Sequence, residues 1–546
     1  MRTEVLALVA EESGDPAEFV PADVNVYVRI ESGAGILDAD DSNPLSKEAW
    51  NAIQDAIPGG LWEAAATKLG MDERTLLKEL FTRDLCLVDQ TIADRRRLVV
   101  VTTVDSKILA KLPEAAGLEP WSEQPNVGPF RLYRGASGDR EYLLAVGERR
   151  LVFSSTGGAD HVRRILVAKS AGEPLLVDHE AYRDLLSRLP QKRSGVMFTQ
   201  SRDGDEAHAL ALIHDGKRLE ARYAARAPNV KKYIEALQSK KGVDFGPLPA
   251  DVVAAVSFNM VTKDVPAEGV LDMLLFPYSF RRRVLPNIEP PMLVFLGKVP
   301  REDIRPDPGF HVPVFGVALR LNDPKVAADL DRICSGIHFL VSISQFALRE
   351  GFFGVEEIEQ TVDKEELTYH RADFGPILRA TGKGTLLAKL ASLPNAKGLT
   401  RIAFGRIGDF YVICTQEAFF RRWKEAESGH ATRLSGADDF AKFEFQDHDG
   451  LILSALTRGR ELSELVNEAI AFLEQSGEQD DSSEEKPDKD KKSKAEDEKS
   501  KDDEDTDKIT KPLQWLANGL EESKTFSVQV WHTDDGLLHG RLVVLR

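Results

Sequence analysis

The sequence predicts an α+β fold: two tandem duplicated domains, each a largely antiparallel sheet with helices packed on one face. Three observations predict it. One short stretch occurs twice, as Val20-Pro21-Ala22-Asp23-Val24 and as Leu248-Pro249-Ala250-Asp251-Val252. Each copy is a proline turn leading into an apolar, β-branched run, the pattern of a first strand. The apolar runs after the first copy recur in the same order after the second. Strand pairs and hairpins alternate with single helices, which argues against a doubly wound parallel sheet. The resulting boundaries are 1–228 for the first domain, 229–245 for a connecting helix and linker, and 246–546 for the second domain.

Asn25 to Ile30 is the opening strand, followed by a polar loop over 31–44. Residues 45–69 read as helix, interrupted at Pro58-Gly59-Gly60, and residues 72–81 as a second helix. Arg83 to Val88 and Arg97 to Val104 are strands; the second is almost continuously apolar, which suits a strand covered on both faces. Asp105 is placed to cap a helix over Ser106 to Leu112. Strands near 130–134, 141–146 and 149–155 lead to helices near 159–168 and 179–188. A strand at 195–200 and a hairpin turning at Asp215-Gly216 close the domain, and 229–240 reads as the connecting helix.

In the second domain, loop and helices over 262–291 are made irregular by Pro266, Pro277, Pro286, Pro290 and Pro291. Met292 to Leu296 corresponds to the strand around Cys86, and Val314 to Leu321 to Leu98–Val104. Asn322-Asp323-Pro324 opens a helix, and Ala403-Phe404-Gly405 aligns with Ala145-Val146-Gly147. Phe410 to Thr415 lies over Leu151 to Thr156, which sets Tyr411 on Val152. Leu451 to Ser454 corresponds to Val196–Thr199, and the last hairpin turns at Asp534-Asp535-Gly536.

At 546 residues the chain is too long for one core, and its 42% hydrophobic content supports more than one. The net charge of −18 repels phosphate backbones and disfavours nucleic acid as a partner. Part of that charge is local: residues 478–508 hold nine Asp, six Glu and eight Lys. The segment 476–510 has no aromatic residue and no periodic apolar face, so it reads as a disordered charged insertion within the second domain. No apolar run approaches the roughly 18 residues that span a bilayer. The run Val5 to Ala10 is too short for a signal-peptide core, which predicts a cytoplasmic protein as written. An exported or cell-envelope location is the alternative if the true start lies upstream.

Motifs for chemistry are weak. Asp38-Ala39-Asp40-Asp41-Ser42-Asn43 lacks the sixth-position glycine and twelfth-position glutamate of a calcium loop. Gly135-Ala136-Ser137-Gly138-Asp139 fails as a serine nucleophile elbow, and Thr381-Gly382-Lys383-Gly384-Thr385 fails as a phosphate loop. Ser154-Ser155-Thr156-Gly157-Gly158 joins a strand to a helix start and could hold an anion, but Thr156 and its counterpart Thr415 read more simply as helix caps. His532 and His539 flank the last hairpin turn, with His214 in the earlier one, too few for a zinc site. Cys86, Cys334 and Cys414 read as buried, reduced hydrophobes. The clusters Arg95-Arg96-Arg97, Arg281-Arg282-Arg283 and Arg421-Arg422 read as solvated element ends, and Phe419, Phe420 and Trp423 as core.

The Pro-Ala-Asp-Val openers, the Ala-x-Gly strand and the twofold order together resemble a loosely defined bacterial family of unknown function. Its members are usually exported or anchored α+β proteins, and the resemblance implies that fold and supplies no activity. The chain is therefore expected to be a non-enzymatic binding or interaction protein, with an unknown protein partner or an apolar ligand. The alternatives are a carrier of an apolar small molecule, lined by residues of strands 98–101 and 292–296, and a hydrolase whose residues come from distant parts of the chain. No catalytic, cofactor-binding or metal-ligating residue is assigned, and no cofactor is called for.

Overall fold

The computed structural model describes residues 15–30, 61–228, 238–239, 242–261, 283–299, 311–346, 355–374, 401–480 and 517–545, apart from short interruptions within these ranges. The chain divides into two units, Met1–Asn229 with Asp534–Gly540, and Val230–Thr533 with Arg541–Arg546.

In the first unit the strands are β1 (Val26–Ile30), β2 (Asp84–Ile92), β3 (Arg95–Thr103), β4 (Glu119–Pro120), β5 (Asn126–Val127), β6 (Phe130–Ser137), β7 (Arg140–Val146), β8 (Arg150–Ser155), β9 (Gly195–Gln200), β10 (Ala207–Asp215) and β11 (Arg218–Arg226). They pair antiparallel in the order β6-β7-β8-β3-β2-β1-β9-β10-β11. The opening strand β1 is therefore central, with Tyr27 set between Val88 and Phe198. The hairpin at Asp215-Gly216 forms as its sequence predicts, Asp215 facing Arg218.

Helices cover both faces of this unit, which corrects the expectation of one covered face. Val99, Val101 and Val152 pack with Val162 of α5 (Ala159–Ala171) and Tyr182 and Leu185 of α6 (Glu180–Ser187). Val100, Leu151 and Phe153 pack on the other side with Trp62 of α1 (Leu61–Leu69), Leu76, Leu77 and Leu80 of α2 (Glu73–Leu80), Leu109 of α3 (Ser106–Leu109) and Leu112 of α4 (Leu112–Ala115). The cause is in the sequence: successive strand residues point to opposite faces, so the unbroken runs Val99-Val100-Val101 and Leu151-Val152-Phe153 make both faces apolar. Asp72 starts α2 as its N-cap, its carboxylate accepting from the Thr75 amide at 2.8 Å.

In the second unit the strands are β12 (Gln238–Ser239), β13 (Val252–Phe258), β14 (Met260–Val261), β15 (Ile288–Val299), β16 (Val312–Leu321), β17 (Val355–Val362), β18 (Glu365–Asp373), β19 (Arg401–Ile407), β20 (Phe410–Cys414), β21 (Leu451–Arg458) and β22 (Thr525–His532); β23 is Leu538–Leu545, at the boundary of the two units. The pairing order is β17-β18-β19-β20-β16-β15-β13-β21-β22, again antiparallel. Two faces are again covered. Phe419, Phe420 and Trp423 of α8 (Ala418–Glu427) are fully buried, with Phe419 stacked on Phe295 at 4.7 Å and Phe420 on Tyr369 at 4.9 Å. Gly316 is a glycine because the Phe295 ring occupies the place a Cβ would need. Val326, Leu330 and Ile333 of α7 (Val326–Phe346) pack opposite, with Leu321, Phe404 and Tyr411.

The expectation of two separate duplicated domains, each with its own sheet, is corrected. Twenty-one of the described strands form one continuous sheet. Of the described strands only β12 and β14 stand apart, as a two-stranded sheet. Smaller corrections follow. Residues 238–239 are strand, not connecting helix, and β15 begins at Ile288, with its register irregular across Pro290-Pro291, where no N–H is available. Val412 faces α8 as Val152 faces α5, so the alignment of Tyr411 with Val152 is off by one residue. Helix α9 (Gly459–Asp480) runs five residues into the segment read as the charged insertion; residues 481–510 lie outside the described residues. No described helix is long and apolar enough to cross a membrane.

Candidate interaction surface

Strand β16 reads Val-Pro-Val-Phe-Gly-Val-Ala-Leu over 312–319. Its alternation sends Val312, Val314 and Ala318 into the core under α8 and turns Phe315, Val317 and Leu319 to the other face. There the apolar surface outruns its cover. Leu319, Met292 and Ile413 pack against the α7 core, whereas Phe315 is 57%, Val294 43% and Val317 39% exposed. These three are neighbours. Val294 of β15 stands directly opposite Val317, and Leu296 opposite Phe315. Val256 of β13 continues the row beyond Val294, and Ile413 of β20 beyond Val317. Four adjacent strands thus carry one apolar strip, about 15 Å across at the usual strand spacing.

The strip rests on a firm backbone. Phe315 N–H donates to Thr415 Oγ1 at 3.0 Å, and the Thr415 amide donates to the Phe315 carbonyl at 2.9 Å. Thr415 is therefore a strand clamp and not the helix cap expected from the sequence. The N-cap of α8 is Glu417, whose carboxylate instead takes Arg371 at 2.9 Å and Arg401 at 3.1 Å. The first unit exposes large apolar side chains more sparsely, at Met197 and Leu212.

A polar cluster lies beneath α7. Tyr411 donates to Asp331 Oδ1 at 2.8 Å, and His370 Nε2 lies 3.8 Å from the same oxygen. Burial raises the Asp331 carboxyl; burial, followed by the Cys334 and Asp331 charges, raises the Tyr411 phenol. Burial pushes the Cys334 thiol up to about 11. The phenol thus stays a donor and the thiol stays protonated near neutrality, the opposite of an activated nucleophile. Sequence reading missed this cluster because its members come from α7, β18 and β20 with no shared motif.

Among the described residues, those singled out from the sequence do not assemble into a site. Ser154 is buried; 38–43, 157–158 and 381–385 lie outside the described residues. Cys86 and Cys414 are buried thiols with pKa values raised by burial. His214 is exposed, whereas His539 is buried and its pKa is lowered by that burial. Arg421 and Arg422 lie 3.9 Å from Glu425 and Asp251. Val99, Val100, Val101, Leu293 and Phe295, which a carrier would need to line a cavity, are packed in the cores. Among the described residues no group of three or more His, Cys, Asp or Glu is placed to hold a metal ion. No protein-family model, curated protein or solved structure matches this chain.

Proposed function

We propose that the chain is a non-enzymatic interaction protein that buries the Val294–Phe315–Val317 strip against an apolar surface of a partner protein. The observation that carries this reading is a phenylalanine more than half exposed, flanked by two exposed valines on paired strands. Leaving such side chains in water forgoes about 1.5–3 kcal/mol for each one that a partner would fully bury. Contiguous exposed apolar strips on rigid strands mark interaction sites more often than scattered single residues do.

A photo-crosslinking phenylalanine analogue at position 315, introduced in the native source, tests the reading. A discrete protein adduct that disappears in the Val294→Lys, Val317→Lys variant supports it. An adduct of a few hundred daltons in native mass spectrometry would replace the protein partner with a small apolar ligand. Absence of any adduct, with no change in apolar dye binding between Phe315→Asp and the parent, would sink it.

A further inference from the structure

Among the described residues the second unit also ends in an uncovered strand edge. β17 is eight residues long and, among the described residues, pairs with β18 alone. In the first unit the outermost long strand, β6, is covered by its own chain through β4 and β5. In an antiparallel ladder every second residue turns its N–H and C=O away from its partner, so β17 offers a row of unused donors and acceptors. The strand is nonetheless held in place: Val362 is part of the core under α8, Ile358 packs against it, and Val355 packs against the core under α7. A rigid, unpaired edge of this length is the receptor for strand addition.

Charge decides what can be added. β17 reads Val-Glu-Glu-Ile-Glu-Gln-Thr-Val, and Glu356, Glu357 and Glu359 are all exposed. Arg371 meets Glu356. Among the described residues no cation lies within ion-pair distance of Glu357 or Glu359, whereas Glu365 at the start of β18 is already met by Lys424 at 2.6 Å. A second copy of the chain is a poor occupant. Two β17 edges paired antiparallel about Ile358 would set Glu357 against Glu359 twice, and like charges directly opposite are destabilising.

We infer that the β17 edge is a docking surface, separate from the apolar strip, which takes an extended segment of a partner protein carrying lysine or arginine at alternate positions. The segment adds as a further strand; its main chain pairs with β17 and its basic side chains meet Glu357 and Glu359.

The test is hydrogen–deuterium exchange on the full chain with a synthetic peptide of alternating Lys and Val, against the same peptide with Glu in place of Lys. Protection of residues 355–362 by the Lys peptide alone, weakening as salt is raised, is the expected result. The Glu357→Lys, Glu359→Lys variant then loses at least about tenfold in affinity for the Lys peptide and gains protection from the Glu peptide. That reversal of preference distinguishes lost charge from lost fold. Equal protection by both peptides, protection confined to other segments, or none at millimolar peptide overturns the proposal. A Phe315→Asp variant keeps the response, so the outcome stands apart from that of the apolar strip.

Discussion

The two units hold their opening strands by clasps of the same geometry and different chemistry. In the first, Pro21 bridges to Leu175, and Gln200 at the end of β9 donates to the carbonyls of Ala22 at 2.7 Å and Val24 at 2.8 Å. In the second, Pro249 bridges to Arg433, and Arg458 at the end of β21 donates to Ala250 at 2.5 Å and Val252 at 2.6 Å. The paired carbonyls sit at matching places in the two Pro-Ala-Asp-Val stretches. A glutamine amide completes the task with no charge to balance. Arg458 is almost fully buried, so its charge must be met, and Asp439 meets it with two bonds at 2.7 and 2.8 Å. The charged clasp makes twice as many bonds, but losing Asp439 would strand the buried charge of Arg458.

The largest expected effect breaks the charged clasp. Arg458→Ala leaves two carbonyls and a carboxylate without their donor, and should lower the opening free energy of β13 by about 3–5 kcal/mol. Gln200→Ala removes two neutral bonds and should lower that of β1 by about 1–2 kcal/mol. Hydrogen exchange reads both strands in one molecule, so each variant carries its own control. If the two losses prove equal, the charge on Arg458 adds nothing and the contrast fails.

Arg458→Gln sharpens the comparison by giving the second unit the neutral clasp of the first. Asp439, partly exposed, can turn to water, so the loss should fall below that of Arg458→Ala, at about 1–3 kcal/mol. The pH dependence follows from Asp439. Its hydrogen bond to Arg458 holds the carboxyl below its ordinary value of 3.8. Such a group contributes stability fully present above 3.8 and lost as pH falls through the lower folded value. The gap between parent and Arg458→Gln should therefore narrow below that pH in acid unfolding. A gap that stays constant into strong acid would show that Asp439 does not carry the clasp.

Much of the strand order was legible because it rests on local pattern. The apolar runs at β1, β3, β13 and β16 and the Asp215-Gly216 turn all carry their signals within a few residues. The placing of β1 between β2 and β9 has no such signal, since β9 lies more than 160 residues further along the sequence. The apolar strip was hidden for another reason. An unbroken apolar run reads as covered on both faces, which holds for Val99-Val100-Val101 but not for Phe315 and Val317. Cover is a property of what packs above a strand, and the strand's own residues do not encode it. The Asp331, His370 and Tyr411 cluster was invisible because three separate elements supply it.

The smallest expected effect concerns the aspartates within the repeated stretch, and its sign differs between the units. Asp23 lies 3.0 Å from Arg164 on α5, an exposed pair of the kind worth about 0–1 kcal/mol. Asp251 has Arg422 of α8 at 3.9 Å, and both its carboxylate oxygens are buried with no hydrogen-bond partner among the described residues. Burial raises the Asp251 carboxyl, so its charged form is disfavoured in the folded chain. A raised carboxyl destabilises above its folded pKa, and the penalty fades as pH falls through that value toward 3.8. Asp251→Asn should thus stabilise the second unit slightly at neutral pH, with the gain vanishing in acid, whereas Asp23→Asn should cost the first unit about 0–1 kcal/mol. Urea unfolding at pH 7 and pH 4 measures both. A destabilising Asp251→Asn would mean that Arg422 satisfies this carboxylate as fully as Arg164 satisfies Asp23, and the two clasps would then differ only at Gln200 and Arg458.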